Sequence, residues 1–144
     1  MGKSVLVING PNLNLLGKRE PEIYGHTTLD DIERMTKDHA RSLGLGLGFV
    51  QSNHEGELID LIQNAPQDHD GLVINAAAYT HTSVALMDAI KGVGLPCVEV
   101  HLSNVFSRES FRHTSYISLA ATGVICGFGP KGYCLALDAL AEIL

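Results

Sequence analysis

Ser4-Val-Leu-Val-Ile8 runs directly into Asn9-Gly-Pro-Asn12 near the start of the chain. A short apolar run without polar alternation is typical of a strand that is buried on both faces of a parallel sheet. The end of this strand presents two amide side chains, a glycine and a proline to one edge of the sheet. The sequence therefore predicts a buried first strand that ends in a polar turn.

A loop follows between Gly17 and Gly25, and it carries Arg19 and Tyr24. Glycines at both ends can act as hinges, and an arginine and a tyrosine on a mobile loop are typical of an active-site lid. An ordinary solvated loop fits the same pattern, because loops carry function only as a general tendency. We therefore treat the segment as a candidate lid.

Four more strand patterns follow, separated by helical patterns. The strands are predicted at Gly48–Ser52, Gly71–Asn75, Cys97–His101 and Gly123–Cys126. The first helix is predicted from Thr28 to about Leu43, with Thr28 and Asp31 as a capping box, and the second from its cap Asn53 to about Asn64. The third is predicted to start at Thr80–Thr82, and the last to run from about Gly132 to Leu144. This alternation predicts an α/β fold, a flavodoxin-like three-layer sandwich with a five-stranded parallel sheet in the order 2-1-3-4-5. Because no linker or repeat interrupts residues 1–144, we expect a single domain.

Composition narrows the class of protein. Of the 144 residues, 45% are hydrophobic and 18% are charged, as in ordinary globular domains. The formal charge of −6, without a cluster of lysine and arginine, argues against a nucleic-acid partner. No apolar run approaches the roughly 18 residues of a membrane span, and the three cysteines lack CxxC spacing. We therefore expect a cytoplasmic protein that binds neither nucleic acid nor a membrane.

Ligands bind to parallel α/β sheets outside the carboxyl ends of the strands, near the point where the strand order reverses. This rule selects the ends of the first, third and fourth strands. They read 9–12 (NGPN), 75–81 (NAAAYTH) and 99–104 (EVHLSN), and all three are more polar than a structural turn requires. We therefore expect the active site at this edge.

Glu99 and His101 are two residues apart on a predicted strand, so their side chains point the same way. A glutamate inside a buried strand is costly unless it is paired, and a nearby carboxylate favours the protonated imidazole. His101 then has the properties of a general acid near neutral pH. A purely structural ion pair is the alternative, and the position at the ligand-binding edge favours the functional interpretation.

Asn75 and His81 flank a turn of small residues that leads into a helix, and Asp88 is predicted two turns beyond His81 on the same helix face. Backbone amides at a helix start suit an anionic or hydroxylated ligand, although simple N-capping beside an exposed histidine is the alternative.

Leu102-Ser103-Asn104 offers consecutive amides that could hold a carboxylate, and Arg108 and Arg112 follow four residues apart. A solvated basic face is the alternative for these arginines. Phe106 and Phe111 beside them suggest packing, for example against another subunit.

Other site classes find little support. Gly127-Phe-Gly-Pro-Lys-Gly132 matches the dinucleotide fingerprint, but no further strand with an acidic residue follows, so we interpret it as a strand-to-helix turn at the sheet edge. Walker A, G-x-S-x-G and H-E-x-x-H motifs are absent, the seven histidines have no ligand spacing, and no lysine lies in a predicted strand. We expect no metal and no cofactor, which leaves proton transfer on a polyhydroxylated acid as the natural chemistry.

Several long motifs in the same order resemble the type II 3-dehydroquinate dehydratases over nearly the whole chain. They are Asn9–Gly25, Thr80–Leu86, Glu99–Asn104, Arg108–Arg112 and Ala121–Val124. The resemblance implies a flavodoxin-like fold and a homododecamer built from trimers. The implied reaction is the reversible loss of water from 3-dehydroquinate to give 3-dehydroshikimate, without cofactor or metal.

The resemblance also implies a role for each site residue. Tyr24 would remove the C2 proton, with Arg19 and Arg108 favouring its phenolate form. Asn12 would stabilise the enolate through a bound water, and His101, oriented by Glu99, would protonate the departing C1 hydroxyl. Asn75 and the amides of Leu102 and Ser103 would bind the substrate carboxylate. His81 and Arg112 would bind the ring hydroxyls. Asp88 would reach the site of a neighbouring subunit.

Two single residues and one three-residue stretch depart from the family pattern. Met87 stands where an arginine is frequent, Phe106 where a polar residue is common, and Ala76–Ala78 where glycine or proline often occurs. None of them carries the implied chemistry.

Aromatic amino-acid biosynthesis and quinate breakdown use the same reaction, so both roles stay open. A non-catalytic domain that binds hydroxy acids and a flavin-dependent enzyme are the rival classes.

Overall fold

The computed structural model describes residues 2–18 and 21–144, apart from the side chains of residues 23 and 24. Within this part of the chain, parallel strands form one sheet. They are β1 (Ser4–Asn9), β2 (Gly46–Gln51), β3 (Gly71–Asn75), β4 (Cys97–His101) and β5 (Gly123–Cys126), in the order β2-β1-β3-β4-β5. The predicted flavodoxin-like strand order is confirmed.

Among the described residues, four helices cover the two faces of the sheet. They are α2 (Leu29–Ser42), α3 (Glu55–Asn64), α4 (Val84–Val93) and α5 (Lys131–Ile143), and a short helix, α1 (Pro21–Tyr24), precedes them in the chain. Because successive strand residues point to opposite faces, Val5 and Val7 pack with α2 and α5, whereas Leu6 and Ile8 pack with α3 and α4. The result is the predicted three-layer sandwich. No helix in the described part of the chain is long and apolar enough to cross a membrane.

Local hydrogen bonds set the start of two helices. The Thr28 hydroxyl accepts from the Asp31 amide at 3.1 Å and the Asp31 carboxylate accepts from the Thr28 amide at 3.0 Å, so the predicted capping box is confirmed. These bonds to Thr28 hold the pKa of Asp31 below its ordinary value. At α4, the Ser83 hydroxyl accepts from the Leu86 amide at 3.0 Å and caps the helix.

Two predicted helix starts were wrong. The N-cap of α3 is His54 rather than Asn53, whose side-chain oxygen instead accepts from the Asn12 amide at 3.0 Å. The helix after β3 begins only at Val84, because a 3₁₀ turn, Ala77–His81, precedes the cap. His81 and Asp88 therefore do not share one helix face, contrary to the prediction.

β5 lies at the edge of the sheet, and residues 127–132 lead from it into α5. The interpretation of this glycine-rich stretch as a strand-to-helix turn at the sheet edge is confirmed.

The backbones of β1 and β3 come very close just beyond their ends. The Gly10 amide donates to the Asn75 carbonyl at 2.8 Å. A Cβ atom at position 10 would lie 2.4 Å from the carbonyl oxygen of Ala76, closer than real Cβ atoms approach backbone. Only glycine therefore fits where the polar turn after β1 passes the turn after β3.

Gly10→Ala is expected to lower the free energy of unfolding by about 3 kcal/mol or more, because the added methyl group meets backbone that cannot move without distorting the sheet. Urea unfolding followed by circular dichroism measures this change.

Gly56→Ala is the matched control. A Cβ atom at this position in α3 meets no atom within 4 Å, so the substitution should stabilise the protein by roughly 0.5–1 kcal/mol. Equal stability of the Gly10→Ala protein and the wild type would contradict the close approach.

Candidate active site

A pocket opens at the carboxyl edge of the sheet, above the ends of β1, β3 and β4. The predicted site residues that line it are Asn12, Asn75, His81, His101, Leu102, Ser103, Arg108 and Arg112. They come from segments that are up to a hundred residues apart in sequence. The fold thus brings most of the predicted site residues together at the carboxyl edge of the sheet, where ligands bind to parallel α/β sheets.

Four predicted residues do not line this pocket in the described structure. Glu99 lies behind His101 in β4, and Asp88 occupies an exposed position on α4. Arg19 and the side chain of Tyr24 lie outside the described residues. The roles implied for Asp88, Arg19 and Tyr24 therefore stay predictions.

Glu99 and His101 form a buried pair, as their spacing in the strand predicts. Nε2 of His101 lies 2.5 Å from a carboxylate oxygen of Glu99, and the two residues are only 6% and 1% exposed. Because a carboxylate can only accept, Nε2 carries the proton in this bond. The bond fixes the orientation of the imidazole and leaves Nδ1 as the nitrogen that can exchange a proton with a ligand.

Two serine hydroxyls complete the surroundings of Glu99. Ser115 Oγ donates to the oxygen that His101 also contacts, at 2.7 Å, and Ser118 Oγ donates to the other oxygen. Burial alone would raise the pKa of Glu99, but the hydrogen bonds from His101, Ser118 and Ser115, with the charge of the imidazole, hold this pKa below its ordinary value. Glu99 is therefore ionised at neutral pH.

His81 faces His101 across the pocket, with the ring centroids 6.4 Å apart and the planes 19° from parallel. Its Nδ1 lies 2.8 Å from the carbonyl oxygen of Thr114, so this nitrogen carries a proton. Partial burial lowers the pKa of His81, and the positive charges of His101 and Arg112 act in the same direction. His81 is therefore neutral at pH 7, and its Nε2 can accept a hydrogen bond from a ligand hydroxyl.

A buried hydrogen-bond chain fixes the two amides at the ends of β1 and β3. The hydroxyl of Tyr133, a fully buried residue of α5, donates to Asn9 Oδ1 at 2.7 Å and accepts from Asn75 Nδ2 at 3.0 Å. Asn75 Oδ1 accepts in turn from the Ala77 amide at 3.2 Å. One hydrogen of the Asn75 amide nitrogen is left for a ligand, because the other already bonds to Tyr133.

Asn12 is held in place through its backbone. It adopts a left-handed conformation with φ of 69°, which asparagine tolerates better than most residues. Its amide donates to Asn53 Oδ1 at 3.0 Å, and Gln51 Nε2 donates to the Gly10 carbonyl at 3.1 Å. The end of β2 thus braces the turn that carries Asn12.

Arg108 and Arg112 provide positive charge on one side of the pocket. They do not lie on one helix, since Arg108 precedes the 3₁₀ turn Ser110–His113 that contains Arg112. The exposed carboxylate of Glu109 contacts both, 3.3 Å from Arg112 Nε and 3.7 Å from Arg108 Nε. Arg108 Nη1 also reaches Ser103 Oγ at 3.4 Å.

Ala77 has φ of 52°, a left-handed conformation that is costly for alanine and normal for glycine. It belongs to the alanine stretch that departs from the family pattern, and it lines the pocket. The alanine therefore retains the backbone geometry that a glycine would adopt here without strain.

Sequence reasoning missed the residues that support the site from behind. They are Thr114, Ser115, Ser118 and Tyr133, together with Asn53, which the sequence had suggested only as a helix cap. Each acts through a hydrogen bond to a residue far away in sequence, which neither periodicity nor spacing indicates. The only signal was that buried Glu99 and Asn75 needed partners from somewhere. Within the described part of the chain, no three His, Cys, Asp or Glu side chains are grouped to hold a metal ion.

The fold and the pocket together define the class: a flavodoxin-like α/β protein whose strand ends carry a carboxylate–histidine pair, amides and arginines. Comparison with known proteins gives the family. The model of the family described as "Dehydroquinase class II" matches residues 3–141.

Relatives and solved structures agree with this match. The 3-dehydroquinate dehydratase of Dinoroseobacter shibae is 62% identical over 136 residues, which cover 94% of this chain and 91% of that protein. That of Phenylobacterium zucineum is 61% identical over 143 residues, 99% of both chains. The crystal structure of the type II dehydroquinase from Propionibacterium acnes superposes with a TM-score of 0.94 at 46% identity, covering 99% of this chain and 98% of that one.

With this likeness along its whole length, the chain belongs to the class II dehydroquinase family, and it is an enzyme of that class. The family and the enzyme class that the sequence motifs predicted are both confirmed.

Tyr133→Phe should lower the free energy of unfolding by about 1–3 kcal/mol, because it leaves buried Asn9 and Asn75 atoms without a partner while the ring still fills the core. Thermal or urea unfolding measures the loss.

Tyr79→Phe is the control, since its hydroxyl donates to the Asn53 carbonyl at 2.8 Å in an exposed place where water can replace it. This change should cost less than about 1 kcal/mol. Equal losses of stability for the two proteins would show that the buried hydrogen bonds of Tyr133 stabilise the protein no more than an exposed hydrogen bond does.

Proposed function

We propose that this protein catalyses the reversible dehydration of 3-dehydroquinate to 3-dehydroshikimate by anti elimination through an enolate. The observation that carries the proposal is the buried Glu99–His101 pair at the wall of an amide- and arginine-lined pocket, in a chain of the class II dehydroquinase family. Curated relatives of the chain bear the name 3-dehydroquinate dehydratase.

The chemistry of the substrate supports the position of the acid. In 3-dehydroquinate the carboxylate and the departing hydroxyl are attached to the same carbon, C1. The proposed carboxylate-binding groups are Asn75 and the amides of Leu102 and Ser103, and His101 directly precedes Leu102 in the chain. A substrate held there by its carboxylate presents its C1 hydroxyl next to the imidazole. His101 then gives a proton to this hydroxyl, which leaves as water.

The proposal assigns the other half of the reaction to Tyr24 and Asn12. Tyr24 as phenolate removes a proton from C2, and the electron pair moves onto the C3 carbonyl oxygen to form the enolate. Asn12, acting through a bound water, is the proposed stabiliser of that oxyanion. The elimination is completed when the enolate re-forms the carbonyl, a double bond forms between C1 and C2, and the C1 oxygen departs. His81 and Arg112 bind the ring hydroxyls in this proposal.

Purified protein should convert 3-dehydroquinate to a conjugated enone, which absorbs in the ultraviolet where the substrate does not. A spectrophotometric assay without added metal or cofactor measures the reaction. Absence of turnover by folded, pure protein would contradict the proposed function. Binding of the substrate without turnover would support the rival class, a non-catalytic domain for hydroxy acids.

Tyr24→Phe should abolish detectable turnover and leave ligand binding intact, because the substitution removes only the oxygen that takes the C2 proton. A fall in kcat of at least about 10²–10⁴-fold is expected for the loss of a general base. Steady-state kinetics gives kcat, and calorimetry with the product measures binding.

Tyr116→Phe removes a phenol hydroxyl from a residue that does not line the pocket, and it should keep the wild-type rate. If Tyr24→Phe retained a near-normal kcat, Tyr24 would not be the base.

Several further predictions rest on the family resemblance. They are a homododecamer built from trimers, the contribution of Asp88 to a neighbouring subunit's site, and the support of Tyr24 by Arg19 and Arg108. A cytoplasmic location and a single catalytic domain over residues 1–144 are predictions from composition and from the lack of a linker. We propose that the reaction serves the shikimate pathway of aromatic amino-acid biosynthesis. Quinate breakdown, which uses the same reaction, is the alternative.

A further inference from the structure

One short segment, residues 114–118, contacts both histidine systems of the pocket. The Thr114 carbonyl accepts from His81, and the hydroxyls of Ser115 and Ser118 donate to the two oxygens of Glu99. No residue of this segment lines the pocket, so its contribution passes through the side chains in front of it.

A backbone hydrogen bond and a buried side chain hold residues 114–118 in place behind the two histidines. The Tyr116 amide donates to the Thr80 carbonyl at 2.9 Å, and Ile117 is fully buried in the core that α3 and α4 cover. The Ser118 amide donates to Ser115 Oγ at 3.0 Å, which ties the Ser115 side chain to the backbone of the segment.

Glu99 needs these donors. It is 1% exposed, and a buried carboxylate that lacks hydrogen bonds takes up a proton instead of remaining charged. His101 supplies one hydrogen bond, to one oxygen, and the serines supply the others. A protonated Glu99 could itself donate, and the imidazole would then lose the acceptor that fixes Nε2–H.

We propose that Ser115 and Ser118 are positioning residues that hold Glu99 as an oriented carboxylate, and that His101 works as the acid only while they do so. The proposal rests on the proposed function, since it takes His101 to be the general acid of the dehydration. It assigns the serines no contact with the substrate.

Besides His101, which contacts Glu99 directly, the titratable groups near Glu99 are the neutral Cys97 and His81, and the charged residues of α4 lie in solvent. On its own strand, Cys97 is neutral because burial and the charge of Glu99 raise the pKa of its thiol to about 12. His81, at the end of the turn after β3, is neutral for the reasons given above. Asp88 and Lys91, the charged residues of α4, are exposed.

The direction of the pH effect follows from these contacts. Hydrogen bonds hold the pKa of Glu99 below its ordinary value, and removing a hydroxyl donor raises it. Glu99 acts as a carboxylate, so activity is lost as pH falls through its pKa. In the serine variants, that loss occurs at higher pH.

Ser118→Ala is the main test, because this hydroxyl contacts Glu99 and its removal leaves the turn hydrogen bond to Ser115 in place. On the acid limb, kcat should fall about tenfold relative to the wild type at the same pH, the equivalent of one charge-assisted hydrogen bond. On the plateau above it, kcat should stay within about threefold. Ser118→Thr, which keeps a hydroxyl, should restore the wild-type profile. Ser115→Ala should move the acid limb in the same direction, but it also removes the acceptor of the Ser118 amide.

Two controls separate positioning from general damage. Ser42→Ala removes a hydroxyl that donates to the His39 carbonyl on α2, and it should leave the pH profile unchanged. In a Glu99→Gln protein, which has no carboxylate to hold, adding Ser118→Ala should not move the acid limb. An equal fall of kcat at every pH in Ser118→Ala would mean a merely structural role and would overturn the proposal.

NMR titration of the His101 ring gives a readout that does not depend on turnover. In the wild type the Nε2–H signal should persist to lower pH than in Ser118→Ala. This comparison stays valid even if the protein does not convert 3-dehydroquinate, so failure of the proposed function and failure of this inference are distinguishable. Identical titrations of the two folded proteins would refute the role of the serine.

Discussion

Polar groups buried at the carboxyl edge of the sheet must find hydrogen-bond partners, and this constraint shapes the structure around the pocket. Asn9, Asn75, Glu99 and His101 all end or nearly end a strand, and each is at most 6% exposed. Leaving one such group unpaired costs about 1–3 kcal/mol, and more for a charge. Residues that never touch a ligand, such as Tyr133 and Ser118, therefore take part in building the site.

The two faces of the sheet meet this constraint in separate ways. Asn9 and Asn75 are register partners, and both bond to Tyr133 of α5 on one face. Glu99 shares the opposite face with Cys97, where residues 114–118 supply its donors. The amides that suit a ligand carboxylate and the acid–histidine pair are thus supported by different elements. A change behind one set need not disturb the other.

Sequence periodicity was sufficient to predict the fold, and the polar residues at the strand ends were sufficient to predict most of the pocket lining. Glu99 and His101 were predictable as a pair because a strand repeats every two residues, a local rule. Tyr133 was not, because it bonds to Asn9 across 124 residues and its place on α5 matches an ordinary core residue. The prediction of Asn53 as the N-cap of α3 was wrong for a related reason. A side chain that can cap a helix can equally form a hydrogen bond elsewhere, here with the Asn12 amide.

The whole chain carries a net negative charge, whereas the pocket is lined by positively charged side chains. The protein carries a formal charge of −6, yet the pocket is lined by the guanidinium groups of Arg108 and Arg112. Screening limits the reach of exposed charges to about 8 Å at physiological salt, so distant surface carboxylates contribute little inside the pocket. Glu109 contacts both arginines, but its carboxylate is exposed, so solvent screens much of its charge. Because Glu99 is ionised behind His101 rather than in the cavity, its charge supports the acid without lining the site that an anionic substrate would enter.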